Sequence, residues 1–119
     1  MDRQKLGKDA EKAAEKYLKQ HYLKLVERNY HCRFGEIDLI MSDGDTLVFI
    51  EVRFRSQSHY GGAATSVSFI KQSKLIKTAH YFLSHNRQHQ NKTCRFDVIA
   101  FEYDGAPLQP LWYKDAFRL

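Results

Sequence analysis

Two β-rich runs joined by a short turn constrain this chain more than any other feature. Gly35-Glu36-Ile37-Asp38-Leu39-Ile40-Met41 and Thr46-Leu47-Val48-Phe49-Ile50-Glu51-Val52-Arg53 flank Ser42-Asp43-Gly44-Asp45. Asp-Gly between such runs signals a two-residue hairpin, because the favoured turn needs positive φ at both central positions. With Asp43 and Gly44 at the tip, the expected register sets Met41 against Thr46, Asp38 against Phe49 and Glu36 against Glu51. Opposite residues share a face of the sheet, so Glu36, Asp38, Glu51 and Arg53 are expected to converge.

The other face of the hairpin would carry Ile37, Leu39 and Met41 against Val48, Ile50 and Val52, a set that calls for burial. Ile40, Leu47 and Phe49 share the acidic face, so the pair reads as a central element covered on both sides, with acids gathered at one end. Three neighbouring carboxylates repel one another and raise each other's pKa unless a cation neutralises them, and a hard divalent metal answers that need. The plainer alternative is a Glu36–Arg53 salt bridge at a solvated strand end, with Asp38 and Glu51 fanning into water.

A chain of 119 residues suits one domain spanning residues 1–119, able to bury a sizeable core without staples. Its 43% apolar and 28% charged residues are those of a globular protein, and no apolar run reaches the length of a membrane span. The N-terminus runs from Met1-Asp2-Arg3 into a charged amphipathic segment without a signal-peptide pattern, so a cytoplasmic location and no membrane partner are expected. Cys32 and Cys94 are too few and too isolated for a disulfide framework and read as reduced thiols. A net charge of +5 favours polyanionic partners such as nucleic acid.

Leu6, Ala10, Ala13, Ala14, Tyr17 and Leu18 recur at helical spacing, predicting a helix from about residue 2 to 21 with Glu11 beside its apolar stripe. A short strand over about 23–30 should precede the hairpin strands at 35–41 and 46–55. Ser56 to Ser66, with Gly61-Gly62, reads as a loop near the acidic strand end. Leu75, Ile76, Ala79, Phe82 and Leu83 define a second helix over about 69–85, whose start carries Lys71, Lys74 and Lys77. A strand over 95–103, a turn at Asp104-Gly105-Ala106-Pro107 and an edge strand over 111–117 complete the chain.

This order, helix, three strands, helix, strand, with Asp on the second strand and Glu-x-basic on the third, resembles the PD-(D/E)XK nuclease core. More closely, the chain is similar to the YraN family. The resemblance rests on Gly7, Glu11, Ala14 and Tyr17-Leu18, then Asn29, the runs GEIDLI and LVFIEVR, Arg55, Gly61, Lys71 and Arg95-Phe96-Asp97-Val98. It implies an α/β, restriction-endonuclease-like fold with a mixed central sheet flanked by helices. By that resemblance Asp38 and Glu51 would hold Mg²⁺ or Mn²⁺ with the Val52 carbonyl, Glu11 is a candidate for a further carboxylate, and the ion would activate water and neutralise charge on phosphate. Arg53 stands where the superfamily usually has Lys, and its high pKa makes it a poor proton acceptor. Metal-bound water could then act unaided, Lys71 or Lys74 could substitute, or the site could be weak.

Rival sites are less persuasive. The chain lacks a Walker A loop, a G-x-G-x-x-G turn and a G-x-S-x-G elbow. His85 and His89 have an i, i+4 spacing but no third ligand and read as solvent-exposed, while Trp112 and Tyr113 read as packing at the core edge. The expected function is a metal-dependent endonuclease acting on DNA or structured nucleic acid. Asp38, Glu51 and Arg53 would be its catalytic residues, and Arg55, Lys71, Lys74 and Lys77 its nucleic-acid contacts. The alternatives are a non-catalytic nucleic-acid-binding module on a degenerate nuclease fold and an adaptor that uses the fold for protein contacts.

Overall fold

A computed structural model describes residues 3–55, 67–102 and 110–118. Helix α1 (Arg3–Gln20) is followed by strands β1 (Lys24–Cys32), β2 (Gly35–Asp43) and β3 (Thr46–Arg55), helix α2 (Phe69–Ser84), a single 3-10 turn (Arg87–His89), and strands β4 (Thr93–Glu102) and β5 (Pro110–Phe117). The order and types are those expected from the sequence, with the 3-10 turn as an addition. The expected loop from Ser56 to Ser66 and the turn at Asp104–Pro107 lie outside the described residues.

The five strands form one mixed sheet in chain order. β1, β2 and β3 make an antiparallel meander, β4 runs parallel to β3, and β5 returns antiparallel along β4. A parallel partner requires a crossover, and α2 lies within it. On one face α1 lays Ala10, Ala14 and Leu18 against Leu39, Met41, Val48, Ile50, Ile99 and Phe101. The i, i+4, i+8 spacing aligns the three helix residues, and the two alanines admit the sheet closely. On the other face α2 packs Leu75, Ala79 and Phe82 on Ile40, Leu47, Phe49, Phe96 and Val98. The central strands are therefore buried on both sides, as their unbroken apolar runs require.

The hairpin register differs from the expectation by two residues. Asp43 pairs with Thr46, Ile40 with Phe49 and Leu39 with Ile50, so Gly44-Asp45 forms the tip, with Gly44 at φ +60°. Asp43 is drawn into the strand because its carboxylate receives the Arg95 guanidinium from β4 at 3.0 Å. A two-residue shift preserves which side chains share a face but brings position 38, not 36, alongside Glu51.

Asn29 adopts φ +51°, and regular alternation fails around it. Arg28 reaches Glu15 on the α1 side, whereas Tyr30 packs edge-on against Phe82 of α2 at 5.1 Å. Across the ladder, Leu39 belongs to the α1-side core and Ile37 to the α2-side core. Residues separated by two should face the same way, so both strands change face between these positions. The change happens at Asp38.

His89 corrects the expectation of solvent exposure. The 3-10 turn folds back onto α2 and buries the imidazole, which stacks on Phe82 at 5.8 Å, whereas His85 is exposed. Trp112 packs at the sheet edge as expected, its indole N–H donating to the fully buried Asp97 at 2.9 Å.

Candidate metal centre and nucleic-acid cleft

The backbone ladder between β2 and β3 runs from Asp43–Thr46 to Leu39–Ile50 and stops there. One residue further, the Asp38 carboxylate accepts the Val52 backbone N–H at 2.7 Å. The side chain thus replaces the carbonyl that the diverging strand withdraws, satisfying a donor that would be costly to leave unpaired. A strand residue's N–H and C=O leave on the same side, so the Val52 carbonyl is directed toward the same gap.

Fixing a carboxylate between strands removes it from water. Burial, reinforced by a hydrogen bond and repulsion from the Glu51 carboxyl, pushes Asp38 from 3.8 up to about 8, against the opposing effect of the Val52 N–H. Glu51 is itself only 8% exposed, and the Lys71 ammonium at the start of α2 lies 3.2 Å from it. Helix α1 brings Glu11 toward the same point. Its pKa is raised by burial, then by the charges of Glu36 and Glu51, against attraction from Lys8. The acids therefore come from α1, β2 and β3, as the sequence suggested. Among the ion pairs of the described residues none joins Glu36 to Arg53, so the plainer salt-bridge alternative is not what these two residues form.

A cleft of about 330 Å³ opens over this junction, lined by Glu36, Asp38, Glu51 and Val52 on the sheet side and by Lys71, Lys74 and Leu75 on α2, with Gly35 between. Gly35 has φ +151°, and a Cβ there would lie 3.1 Å from Thr78 Oγ1 and 3.8 Å from Lys74 Cβ. The missing side chain lets the β1–β2 turn close onto α2 and fixes the width of the cleft.

Asp38, Glu51 and the Val52 carbonyl are the oxygens that could hold a hard cation here. Among the described residues no group of three His, Cys, Asp or Glu side chains is close enough to enclose a metal. Asp38 and Glu51 form the immediate pair, the charge of Glu11 acts on Asp38, and that of Glu36 acts on Glu11. One or two carboxylates, a carbonyl and open positions suit Mg²⁺ or Mn²⁺, which retain waters and take further oxygens from phosphate.

Of the other candidate residues, Lys71 and Lys74 lie in the cleft, and Lys77 is exposed one turn further along α2. Arg53 is half-buried two residues beyond Glu51 and is not among the residues lining the cleft. The Arg55 side chain lies outside the described residues.

One residue beside the site escaped the sequence reading. Glu15 on α1 accepts both Arg28 Nε at 2.6 Å and Arg28 Nη2 at 2.8 Å, and takes Lys19 at 2.7 Å. The hydrogen bonds from Arg28 lead the causes that lower its pKa to about 2. This bidentate tie anchors α1 to β1 one turn from Glu11. The Glu15-x-x-x-Lys19 spacing was visible, but nothing local announced a partner 13 residues away.

The family model described as "Uncharacterised protein family UPF0102" matches residues 10–101, which include Glu11, Asp38, Glu51 and Lys71. The UPF0102 protein of Pseudomonas syringae pv. syringae (strain B728a) is 49% identical over 116 residues, covering 97% of this chain and 94% of its own length. That of Aeromonas hydrophila subsp. hydrophila is 53% identical over 112 residues, covering 93% and 83%. That of Nitrosococcus oceani is 46% identical over 113 residues, covering 95% and 91%.

Proposed function

The chain belongs to the UPF0102 family, and we propose that it hydrolyses phosphodiester bonds in DNA or structured nucleic acid with the help of Mg²⁺ or Mn²⁺. One observation carries the reading: Asp38 and Glu51 meet in the gap where β2 leaves β3, and burial beside Glu51 raises the Asp38 pKa so that it keeps a proton that a divalent cation would displace. An Asp38 carboxyl pushed up to about 8 by burial would be an expensive arrangement if it served fold stability alone.

In this reading Asp38, Glu51 and the Val52 carbonyl hold the ion, with Glu11 adding negative charge from α1. A bound ion of this kind supplies a Lewis acid for phosphate and a more acidic water. Lys71 and Lys74, on the opposite wall, neutralise and orient the phosphodiester. Lys71 also answers the difficulty posed by Arg53. Its ammonium is already at Glu51, so α2 supplies a replacement for the strand lysine usual in the PD-(D/E)XK superfamily. Arg53 keeps a charge-stabilising role only. The second reading, a module that binds nucleic acid without cleaving it, draws on Arg53 and shares the same cleft and salt dependence.

The test pairs calorimetric Mn²⁺ binding with cleavage of linear, flapped and branched substrates, with and without divalent metal, in the parent protein and Asp38→Asn. Mn²⁺ binding that weakens strongly in the variant, together with metal-dependent turnover in the parent, is the expected result. Unchanged Mn²⁺ affinity in Asp38→Asn overturns the metal assignment. Binding without turnover selects the second reading.

A further inference from the structure

The cleft does not end at Lys74. Positions 71, 74, 78, 81 and 85 are spaced by three and four residues, so they form one stripe along α2. Lys71 and Lys74 line the acidic cleft, Gly35 of the β1–β2 turn seats over Thr78, and beyond that contact the stripe turns aromatic. The Tyr81 ring stacks on His85 at 4.2 Å, and Phe34, the chain neighbour of Gly35, meets Tyr81 at 6.0 Å. Phe34 is 36% exposed, and the Arg33 guanidinium lies 4.8 Å from its centroid.

Resting on the nucleic-acid reading above, we propose that Arg33, Phe34, Tyr81 and His85 form a stacking platform for an unpaired base, giving the cleft a preference for nucleic acid with a single-stranded segment. Lys74 and Tyr81 are seven residues apart, about 10 Å along a helix, so a strand with phosphates at Lys71 and Lys74 delivers a neighbouring base to the platform. Base stacking on aromatic and guanidinium groups tolerates any sequence but requires a base free of its duplex. A pure core-capping role would need only apolar bulk. It would not need a partly exposed ring with a cation across it, packed against the helix stripe whose two lysines line an acidic cleft.

The experiment measures binding, with Ca²⁺ replacing Mg²⁺ to limit turnover. It compares a blunt duplex with a duplex bearing a single-stranded extension, matched in phosphate number, with a fluorescent adenine analogue in the extension. The parent protein should bind the extended ligand about 5- to 100-fold more tightly and quench the analogue by stacking. Phe34→Leu, which keeps apolar volume, should lose both effects, and Phe34→Trp should keep them. No preference in the parent, or an unaltered preference in Phe34→Leu, overturns the platform and leaves the cleft reading standing. Failure of both ligands to bind overturns the nucleic-acid reading and the platform with it.

Discussion

Asp38→Asn should change how stability responds to pH, and the structure gives the size of the effect. In the metal-free protein the folded carboxyl titrates near 8, against 3.8 as its ordinary value. Between those values the folded state holds a proton that the unfolded state has released. Stability is therefore fully present below about pH 4 and is lost as pH rises through about 8, at up to about 1.4 kcal/mol per pH unit. The complete span is on the order of 5 kcal/mol. Asn is close in shape to the protonated acid, can still accept the Val52 N–H, and does not titrate. Thermal unfolding in EDTA from pH 5 to 8 should show the parent losing about 4 kcal/mol relative to Asp38→Asn, or on the order of 10 °C in Tm. Taking the difference cancels groups such as Glu15, whose lowered pKa gives the opposite slope at lower pH. Saturating Mn²⁺ should flatten the parent curve by replacing the Asp38 proton, with about 2.7 kcal/mol gained at a hundred times Kd, and should leave the variant unmoved. Parallel pH profiles for the two proteins in EDTA would refute the account of Asp38 as a carboxyl held neutral by burial and Glu51.

Two further perturbations separate cleft geometry from cleft chemistry. Gly35→Ala must place a Cβ near Thr78 Oγ1 while holding a φ of +151°, so urea unfolding should show a loss of about 1–3 kcal/mol; an unchanged midpoint contradicts the close approach. In single-turnover cleavage at saturating Mg²⁺, Lys71→Met should slow the reaction on the order of 10²-fold while Arg53→Lys preserves it, and a full rate in Lys71→Met removes Lys71 from the mechanism.

The sequence made the helices, the strands and the two-sided burial of the hairpin legible because each rests on local periodicity. Leu6 to Leu18 repeats at helical spacing, and Ile37 to Val52 alternates around one turn. What escaped depends on distant partners. Asp43 left the turn for the strand because Arg95, some 50 positions away, claims its carboxylate. His89 was buried by a 3-10 turn whose stacking partner is Phe82. Asp38 and Glu51 were foreseen as neighbours from an incorrect register, since a two-residue slip preserves faces. The face change at Asn29 and Asp38 had no periodic signature, because it depends on a positive φ at Asn29 that an asparagine permits but does not announce.

That face change also explains why the carboxylates can sit where they do. β3 is paired with β4 along its entire length, from Thr46–Thr93 to Arg55–Glu102, so it is held straight from one side. β2 leaves it beyond Leu39, with β1 still paired to β2 as far as Cys32–Gly35. The consequence is a gap beside β3, into which Val52 presents an N–H and a carbonyl and Glu51 a carboxylate. Some acceptor must enter that gap, because an unsatisfied Val52 N–H would cost about 1–3 kcal/mol. Asp38 meets this demand with one oxygen and leaves the other for a proton or a cation. Structural and chemical roles thus reside in the same side chain. Asp38→Ala would remove both at once, whereas Asp38→Asn retains the acceptor and isolates the charge.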